Sequence, residues 1–332
     1  MKSSITNAMG LDVGTSRIVT ARPDGDGYRY NSQLNAFVTI PYSKLTERVL
    51  DKEGVPHSVS GNQIVVHGNE SEKFADLMDT EIRRPMTGGV LDAKEPESIS
   101  MMREIISSLL EKNHEEKPLV CFTVPAASLD SSESLTYHEA TVKQILTQLG
   151  FENRAVNEGL AVVYAELEST NYTGIGISCG GGLCNVCYSY LSVPVFTFSI
   201  AKAGDYIDAN AASMTGERAN RIRLAKEEAF HFNGFFSDKV QQVISVYYDD
   251  MIKSLVGGMK EAFGDARHMP KLNRPVPLVL SGGTAMPKGF RDRFEKIFNE
   301  SNLPIQVSEV RMAANPLEAA AKGALVAALA EM

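Results

Sequence analysis

The stretch from Gly174 to Val186 constrains the fold more than any other part of this sequence. Alternating Ile175 and Ile177 predict a buried strand, three consecutive glycines predict a tight turn, and a second strand resumes at Cys184. Glycines accept φ > 0 and carry no Cβ, so the backbone N–H groups of such a turn can approach a phosphate closely. Alone, the turn is more typical of an ordinary structural hairpin, and its partners elsewhere in the chain decide between the two interpretations.

Two further strand-to-glycine turns occur far away in the chain. One lies in the stretch from Gly10 to Val19 and contains Asp12, and the other runs from Leu278 through Gly282-Gly283 to Thr284. A carboxylate such as Asp12 can hold the hydration shell of a magnesium ion. Three such turns predict one split nucleotide site. The sequence has neither a Walker pattern nor G-x-G-x-x-G, so P-loop and dinucleotide-binding folds lose support.

Together, these motifs resemble the actin, sugar-kinase and heat-shock-chaperone ATPase superfamily, and within it the bacterial actins of the MreB and MamK type. The two phosphate hairpins of that family are similar to Asp12–Thr15 and Ser178–Asn185, and its adenosine turn is similar to Gly282-Gly283. The resemblance covers nearly the whole chain, because further family motifs match, in order, at Arg84–Val90, Asn157–Gly159, Ala203–Asp208 and Gly216–Ala219.

The resemblance implies an α/β fold of two duplicated, ribonuclease H-like halves around a nucleotide cleft. Each half is expected to hold a mixed five-stranded sheet with flanking helices. We expect the first half at 1–160, with a small subdomain inserted at about 36–83, and the second half at 161–332. The family's fourth subdomain should be strongly reduced, at about 216–254, because only a short loop around His231–Gly234 separates two predicted helices.

The resemblance also implies roles for individual residues. Glu158 matches the family residue that polarises the attacking water, and Asp12 matches the residue that holds the metal's water shell. Considered without the family, Asp12 is also compatible with a structural turn and Glu158 with an acid that stabilises a helix N-terminus. The expected cofactors are ATP, with GTP also possible, and Mg²⁺. Nucleotide contacts are expected from Gly14, Thr15, Ser16, Gly180, Gly181, Gly182, Glu217, Asn220, Arg223, Gly282, Gly283 and Thr284.

Ser178 departs from the family pattern at a catalytic position. The family has an aspartate there, whereas serine keeps a hydroxyl donor and loses the charge. Leu183 and Asn185 also replace polar family residues in the same hairpin. Since phosphoryl transfer depends on positioning and on neutralised charge, we expect nucleotide binding with slow hydrolysis.

Composition limits the other possibilities. The chain of 332 residues is 43% hydrophobic and 22% charged, as in ordinary globular proteins, and its net charge of −8 gives no attraction to nucleic acid. No signal peptide or window of about 20 apolar residues is present, so a cytoplasmic protein is predicted, with peripheral membrane contact left open.

Cys179, Cys184 and Cys187 have the spacing of a plant-type iron–sulfur site. The fourth ligand of such a site lies downstream, whereas the remaining cysteine, Cys121, lies upstream, which favours free thiols.

Three functions remain open at this point. The first is a cytoskeletal protein that binds ATP and self-associates into filaments, which the predicted insert at 36–83 favours. The second is a non-polymerising nucleotide switch or a chaperone or reactivation factor, which the reduced fourth subdomain and Ser178 favour. A small-molecule kinase has less support, because no family sugar-binding motif is present. Protein partners other than a second copy are not predicted.

Overall fold

The computed structural model describes residues 8–110, 118–129, 135–232, 236, 238–265 and 274–331. The described strands are β1 (Ala8–Val13), β2 (Arg17–Asp24), β3 (Gly27–Leu34), β4 (Phe37–Pro41), β5 (His57–Ser60), β6 (Gln63–His67), β7 (Met86–Thr87), β8 (Val90–Leu91), β9 (Leu119–Val124), β10 (Glu152–Asn157), β11 (Gly174–Cys179), β12 (Cys184–Tyr190), β13 (Val193–Ile200), β14 (Val276–Ser281) and β15 (Val307–Met312). The described α-helices are α1 (Lys44–Glu53), α2 (Glu70–Met78), α3 (Ser98–Leu109), α4 (Leu135–Gln148), α5 (Glu158–Glu166), α6 (Gly204–Thr215), α7 (Ala219–Glu228), α8 (Lys239–Asp265), α9 (Phe290–Glu300) and α10 (Ala319–Ala330).

Two five-stranded sheets with the same topology form the centre of the molecule. The first has the order β10-β9-β1-β2-β3 and the second β15-β14-β11-β12-β13. In each, three strands form an antiparallel meander, a fourth strand pairs in parallel with the first strand of that meander, and the fifth strand pairs in parallel with the fourth. The parallel strands are joined through helices, as crossover connections require. The repeated topology confirms the predicted duplicated α/β fold.

A smaller three-stranded sheet, β4-β6-β5, extends from the first half together with α1 and α2. Its own apolar core contains Val38, Ile40, Leu50, Ile64 and Val66. These elements lie within the stretch for which the sequence predicted an insert. At the corresponding place in the second half, the described residues between β13 and β14 contain helices and no strand.

Helices α5 and α10 pack against each other between the two large sheets. A Cβ built on Gly323 of α10 would lie 1.7 Å from the carbonyl oxygen of Ala161 in α5, so the two backbones are in direct contact. On the β1 side of α10, a Cβ on Gly10 would lie 2.0 Å from the carbonyl oxygen of Ala321. Only glycine fits at such approaches. The glycines therefore fix how the two halves sit around the cleft.

Candidate functional site

A cleft with a volume of about 440 Å³ lies between the two halves. The turn between β1 and β2 and the turn between β11 and β12 contribute Gly14–Ser16 and Gly180–Leu183 to its wall. The turn after β14 contributes Gly282–Thr284, and α6 and α7 contribute further residues. The fold thus brings the three glycine turns of the sequence, which lie about a hundred residues or more apart, to one cavity.

The tips of the two hairpins lie against each other. A Cβ built on Gly181 would be 2.3 Å from Ser16 Oγ, and one on Gly182 would be 2.6 Å from Thr15 Oγ1 and 2.3 Å from the backbone nitrogen of Gly89. A side chain at Gly182 would clash with the backbone nitrogen of Gly89, whereas one at Gly181 would require the Ser16 hydroxyl to move. The Gly180–Gly182 turn carries no side chain of its own, so a bound group can approach its backbone N–H groups closely.

The third turn is locked onto the second hairpin. Gly282 has φ +89°, and a Cβ there would lie 2.2 Å from the carbonyl oxygen of Cys179. Thr284 Oγ1 donates a hydrogen bond of 2.8 Å to the carbonyl oxygen of Gly180. Both contacts hold the turn after β14 at a fixed distance from the glycine triplet.

Two carboxylates face the cleft beneath the hairpins. Thr123 Oγ1 donates a 2.6 Å hydrogen bond to Asp12 Oδ1, yet burial raises the pKa of Asp12 to about 6. Burial, followed by the charge of Asp12, raises the pKa of Glu158 to about 8, and a hydrogen bond from Ser178 opposes the rise. A cation bound near these two acids would favour their ionised forms and lower both pKa values.

The donor set fits a magnesium ion that arrives with a nucleotide. Within the described part of the chain, no group of three or more His, Cys, Asp or Glu side chains is placed to hold a metal. Mg²⁺ keeps several waters and is commonly bound by one or two carboxylates together with substrate phosphates, and Asp12 supplies such a carboxylate. Cys179, Cys184 and Cys187 are buried free thiols in this structure.

Glu158 is the first residue of α5, and its backbone is tightly fixed. Asn157 caps the helix by accepting a 3.1 Å hydrogen bond from the backbone nitrogen of Leu160. A Cβ on Gly159 would lie 2.8 Å from the backbone nitrogen of Cys187, and one on Gly176 would lie 2.4 Å from the carbonyl oxygen of Gly159. The start of α5 therefore packs directly on β11 and β12, which places the Glu158 carboxylate in the cleft.

The predicted nucleotide contacts on α7 are only partly brought together. Arg223 lines the cleft, whereas Glu217 and Asn220 are not part of its lining. Glu217 instead accepts a 3.0 Å hydrogen bond from Arg221 on the outer surface, and Asn220 is exposed. For these two residues a nucleotide contact stays a prediction without geometric support.

Sequence reasoning missed a buried ion pair at the α6–α7 side of the cleft. Lys226 Nζ donates hydrogen bonds of 2.8 Å to Asp208 Oδ2 and of 3.1 Å to the carbonyl oxygen of Gly204. Burial raises the pKa of Asp208 to about 6 in spite of the neighbouring ammonium. The one available signal was Asp208 in the A-G-D-x-x-D motif, which needs a cation once it is buried.

Arg17 was also missed. It lines the cleft next to Gly14–Ser16, and its side chain makes no ion pair with the part of the chain that is described. By contrast, Arg223 and Lys226 both have carboxylate partners. Arg17 is therefore a candidate cation for phosphate groups.

Ion pairs connect the two halves across the mouth of the cleft. Arg84 Nη1 lies 2.9 Å from Asp205 Oδ1, and the Arg223 guanidinium contacts the Glu72 carboxylate of α2. Beyond them, Arg218 and Asp79 form an exposed pair at 3.9 Å.

Within the described residues, no helix is sufficiently long and apolar to span a membrane.

Comparison with known proteins agrees with this architecture. Among solved structures, the chain is similar to the MamK double helical filament, with 18% identity, a TM-score of 0.70 and coverage of 98% of both chains. It is also similar to MreB 5 of Spiroplasma citri bound to AMPPNP, with 16% identity, a TM-score of 0.66 and coverage of 95% of this chain and 93% of the other.

A third solved structure is the ethanolamine utilization protein EutJ from Carboxydothermus hydrogenoformans, with 15% identity, a TM-score of 0.58 and coverage of 96% and 89%. At such identities the likeness shows the fold alone, and it confirms the predicted actin-like fold. No curated protein sequence matches the chain. The model of the Volactin family matches residues 7–328, so the chain belongs to the Volactin family and has the actin-like fold.

Proposed function

We propose that this protein binds ATP with Mg²⁺ between its two halves and assembles into filaments in the nucleotide-bound state. The observation that carries the proposal is the meeting of two glycine hairpins at one cleft, with Asp12 and Glu158 beneath them. A triphosphate would accept hydrogen bonds from the N–H groups of the Gly180–Gly182 and Gly14–Ser16 backbones. The turn Gly282–Thr284 would contact the adenosine part of the nucleotide.

Hydrolysis in this proposal is slow. Mg²⁺, when bound, neutralises phosphate charge and lowers the barrier to phosphoryl transfer. Asp12 would hold the water shell of the metal, and the Glu158 carboxylate would orient the attacking water. Ser178 supplies a hydroxyl where a second metal-facing carboxylate would speed the reaction. The Glu158 carboxylate must be ionised to accept a proton, so the cation that accompanies the nucleotide would have to bring its pKa down from about 8.

We divide the chain in the same proposal into halves at 1–160 and 161–332, with the small subdomain at about 36–83 and a helical remnant of the fourth subdomain at about 216–254. Support for filaments comes from the likeness to a protein solved as a double helical filament. A non-polymerising nucleotide switch is the second candidate. It is favoured by the helical segment from α6 to α8, which lacks a sheet among its described residues.

Calorimetry with Mg-ATP tests the binding site. We expect Gly282→Ala to abolish binding, because its Cβ would enter the space of the Cys179 carbonyl oxygen. Gly150→Ala is the matched control, since Gly150 also has positive φ (92°) but open space around it and lies outside the cleft. Equal affinity in wild type and Gly282→Ala would move the nucleotide elsewhere.

Sedimentation separates the two candidate functions. The wild-type protein is centrifuged at high speed with ATP, with ADP, with AMPPNP and with no nucleotide. We expect a pellet in ATP and AMPPNP, and filaments by electron microscopy of the same samples. A protein that binds Mg-ATP in calorimetry and stays monomeric under all four conditions is a nucleotide switch.

A further inference from the structure

Asn185, which the sequence marked only as a departure from the family pattern, lies at the centre of the hydrogen bonds around Glu158. It belongs to β12, directly opposite Ser178 of β11, and is 1% exposed. Its Nδ2 donates a 2.8 Å hydrogen bond to Glu158 Oε2. Its Oδ1 accepts a 2.9 Å hydrogen bond from the backbone nitrogen of Ala126. Both ends of this buried amide are therefore used.

The contact with Ala126 decides which way the amide faces. A backbone N–H can only donate, so the atom of Asn185 that meets it must be the carbonyl oxygen. The amide nitrogen then points to Glu158 and demands an acceptor there. Oε2 of Glu158 thus stays unprotonated towards Asn185, and the plane and rotamer of the carboxylate are set by β12.

The Ala126 end is itself anchored across the cleft. The Ser199 hydroxyl donates a 3.0 Å hydrogen bond to the carbonyl oxygen of Ala126. The backbone nitrogen of Ser199 donates to the carbonyl oxygen of Ala127 at 2.9 Å, and that of Leu129 donates to the carbonyl oxygen of Ser199 at 2.9 Å. The segment after β9 is therefore fixed against β13. Because Asn185 is hydrogen-bonded to both this segment and Glu158, the position of the Glu158 carboxylate is fixed as well.

We propose that Asn185 is a positioning residue that aims the Glu158 carboxylate at the attacking water; this rests on the ATP hydrolysis proposed above. A carboxylate that is free to rotate loses alignment, and misplacement by about 1 Å costs roughly 100-fold in rate. Asn185 is not part of the cleft wall, so it acts through Glu158 and makes no contact with the nucleotide. Its removal should lower hydrolysis and leave nucleotide affinity unchanged.

The test compares Asn185→Asp with Ser199→Ala in single-turnover hydrolysis of Mg-ATP. Aspartate keeps the shape of the side chain and the acceptor for Ala126 but replaces the N–H donor by a second anion next to Glu158. Ser199→Ala removes one side-chain hydrogen bond of the same segment but keeps its two backbone hydrogen bonds to β13 and the contact between Asn185 and Glu158. We expect Asn185→Asp to lower the rate by about 10- to 100-fold with a change in ATP dissociation constant below about 3-fold. Ser199→Ala should stay within about 3-fold of wild type in both.

If Asn185→Asp folds poorly, Asn185→Ala replaces it in the test, because it removes the same N–H donor without adding a charge. We expect the same loss of hydrolysis rate. A rate loss in Ser199→Ala as large as in Asn185→Asp would overturn the proposal, because packing of the segment would then explain it. A parallel loss of ATP affinity in Asn185→Asp would overturn it as well.

A measurement without nucleotide separates this proposal from the proposed function. In protein labelled with ¹⁵N-asparagine, the Asn185 side-chain amide should give a downfield, solvent-protected signal that shifts upfield and exchanges in Glu158→Ala. An unchanged signal refutes the Asn185–Glu158 contact whether or not the protein binds ATP. Wild type that binds no Mg-ATP refutes the proposed function and leaves the amide signal to decide the contact alone.

Discussion

The ion pair between Glu72 of α2 and Arg223 of α7 should control how fast nucleotide leaves the cleft. Glu72 belongs to the small subdomain and Arg223 to the opposite half, and of the two only Arg223 lines the cleft. Glu72→Gln therefore removes one of the charges that join the two halves across the cleft, without altering a residue of the cleft wall. The substitution keeps the size of the side chain.

The expected effect is moderate. The Arg223 side chain is 15% exposed and that of Glu72 is 37% exposed, so solvent screens the pair in part. A pair of this kind contributes about 1 kcal/mol, which corresponds to roughly 5-fold faster nucleotide release. Because the attraction is electrostatic, the difference between variant and wild type should shrink as ionic strength rises.

Stopped-flow displacement of a fluorescent ATP analogue measures this release rate directly. Asp79→Asn is the matched control, because Asp79 reaches Arg218 on the same pair of elements at 3.9 Å with both side chains almost fully exposed. The control should release nucleotide at the wild-type rate. If Glu72→Gln releases nucleotide no faster than Asp79→Asn, the cleft is not held by this ion pair.

Three other substitutions probe the site and the core. Ser178→Asp adds a carboxylate beside Glu158, so the metal-free protein should lose roughly 1–3 kcal/mol of stability, whereas Mg-ATP should raise its melting temperature more than that of wild type in a thermal-shift assay. Burial lowers the pKa of His138 to about 4 from its ordinary 6.5, so the unfolded chain takes up its proton first. Stability should therefore fall by up to about 3 kcal/mol between pH 6.5 and 4, and His138→Gln should flatten that fall in urea titrations. Gly323→Ala should cost about 1–3 kcal/mol through overpacking, whereas Gly257→Ala, with open space in the interior of α8, should be neutral or stabilising in the same titration.

The glycine turns could be predicted from the sequence because their signal is local. Each combines a strand with period-two apolar residues and a residue type that only a tight turn requires, and the turns at Gly14, Gly180 and Gly282 do meet at the cleft. Helix α1 was not predicted. Its apolar residues Leu45, Val49 and Leu50 do recur at helical spacing, but only Leu50 is buried, so the stripe is short and was overlooked.

The contacts within the site were harder to predict. Glu217, Asn220 and Arg223 share one helical face by spacing, but Glu217 lies before the first residue of α7. The buried residues Ile222 and Lys226 set the rotation of that helix, and of the three predicted residues they bring Arg223 alone to the cleft. The hydrogen bond from Ser178 to Glu158 depends on the register of α5 over β11, which Gly159 and Gly176 determine. Such packing between distant segments leaves no periodic signal in a single sequence.

The contact of Gly323 with Ala161 has a consequence for motion between the two halves. Where two helices touch backbone to backbone, there are no side chains that could tilt to let one helix slide along the other. Relative movement of the two halves is then confined to rotation about this contact, which acts as a hinge. In a hinge rotation, the displacement of an atom grows with its distance from the hinge. A small change of angle at the α5–α10 contact therefore produces its largest displacement far from the hinge, where α2 and α7 face each other.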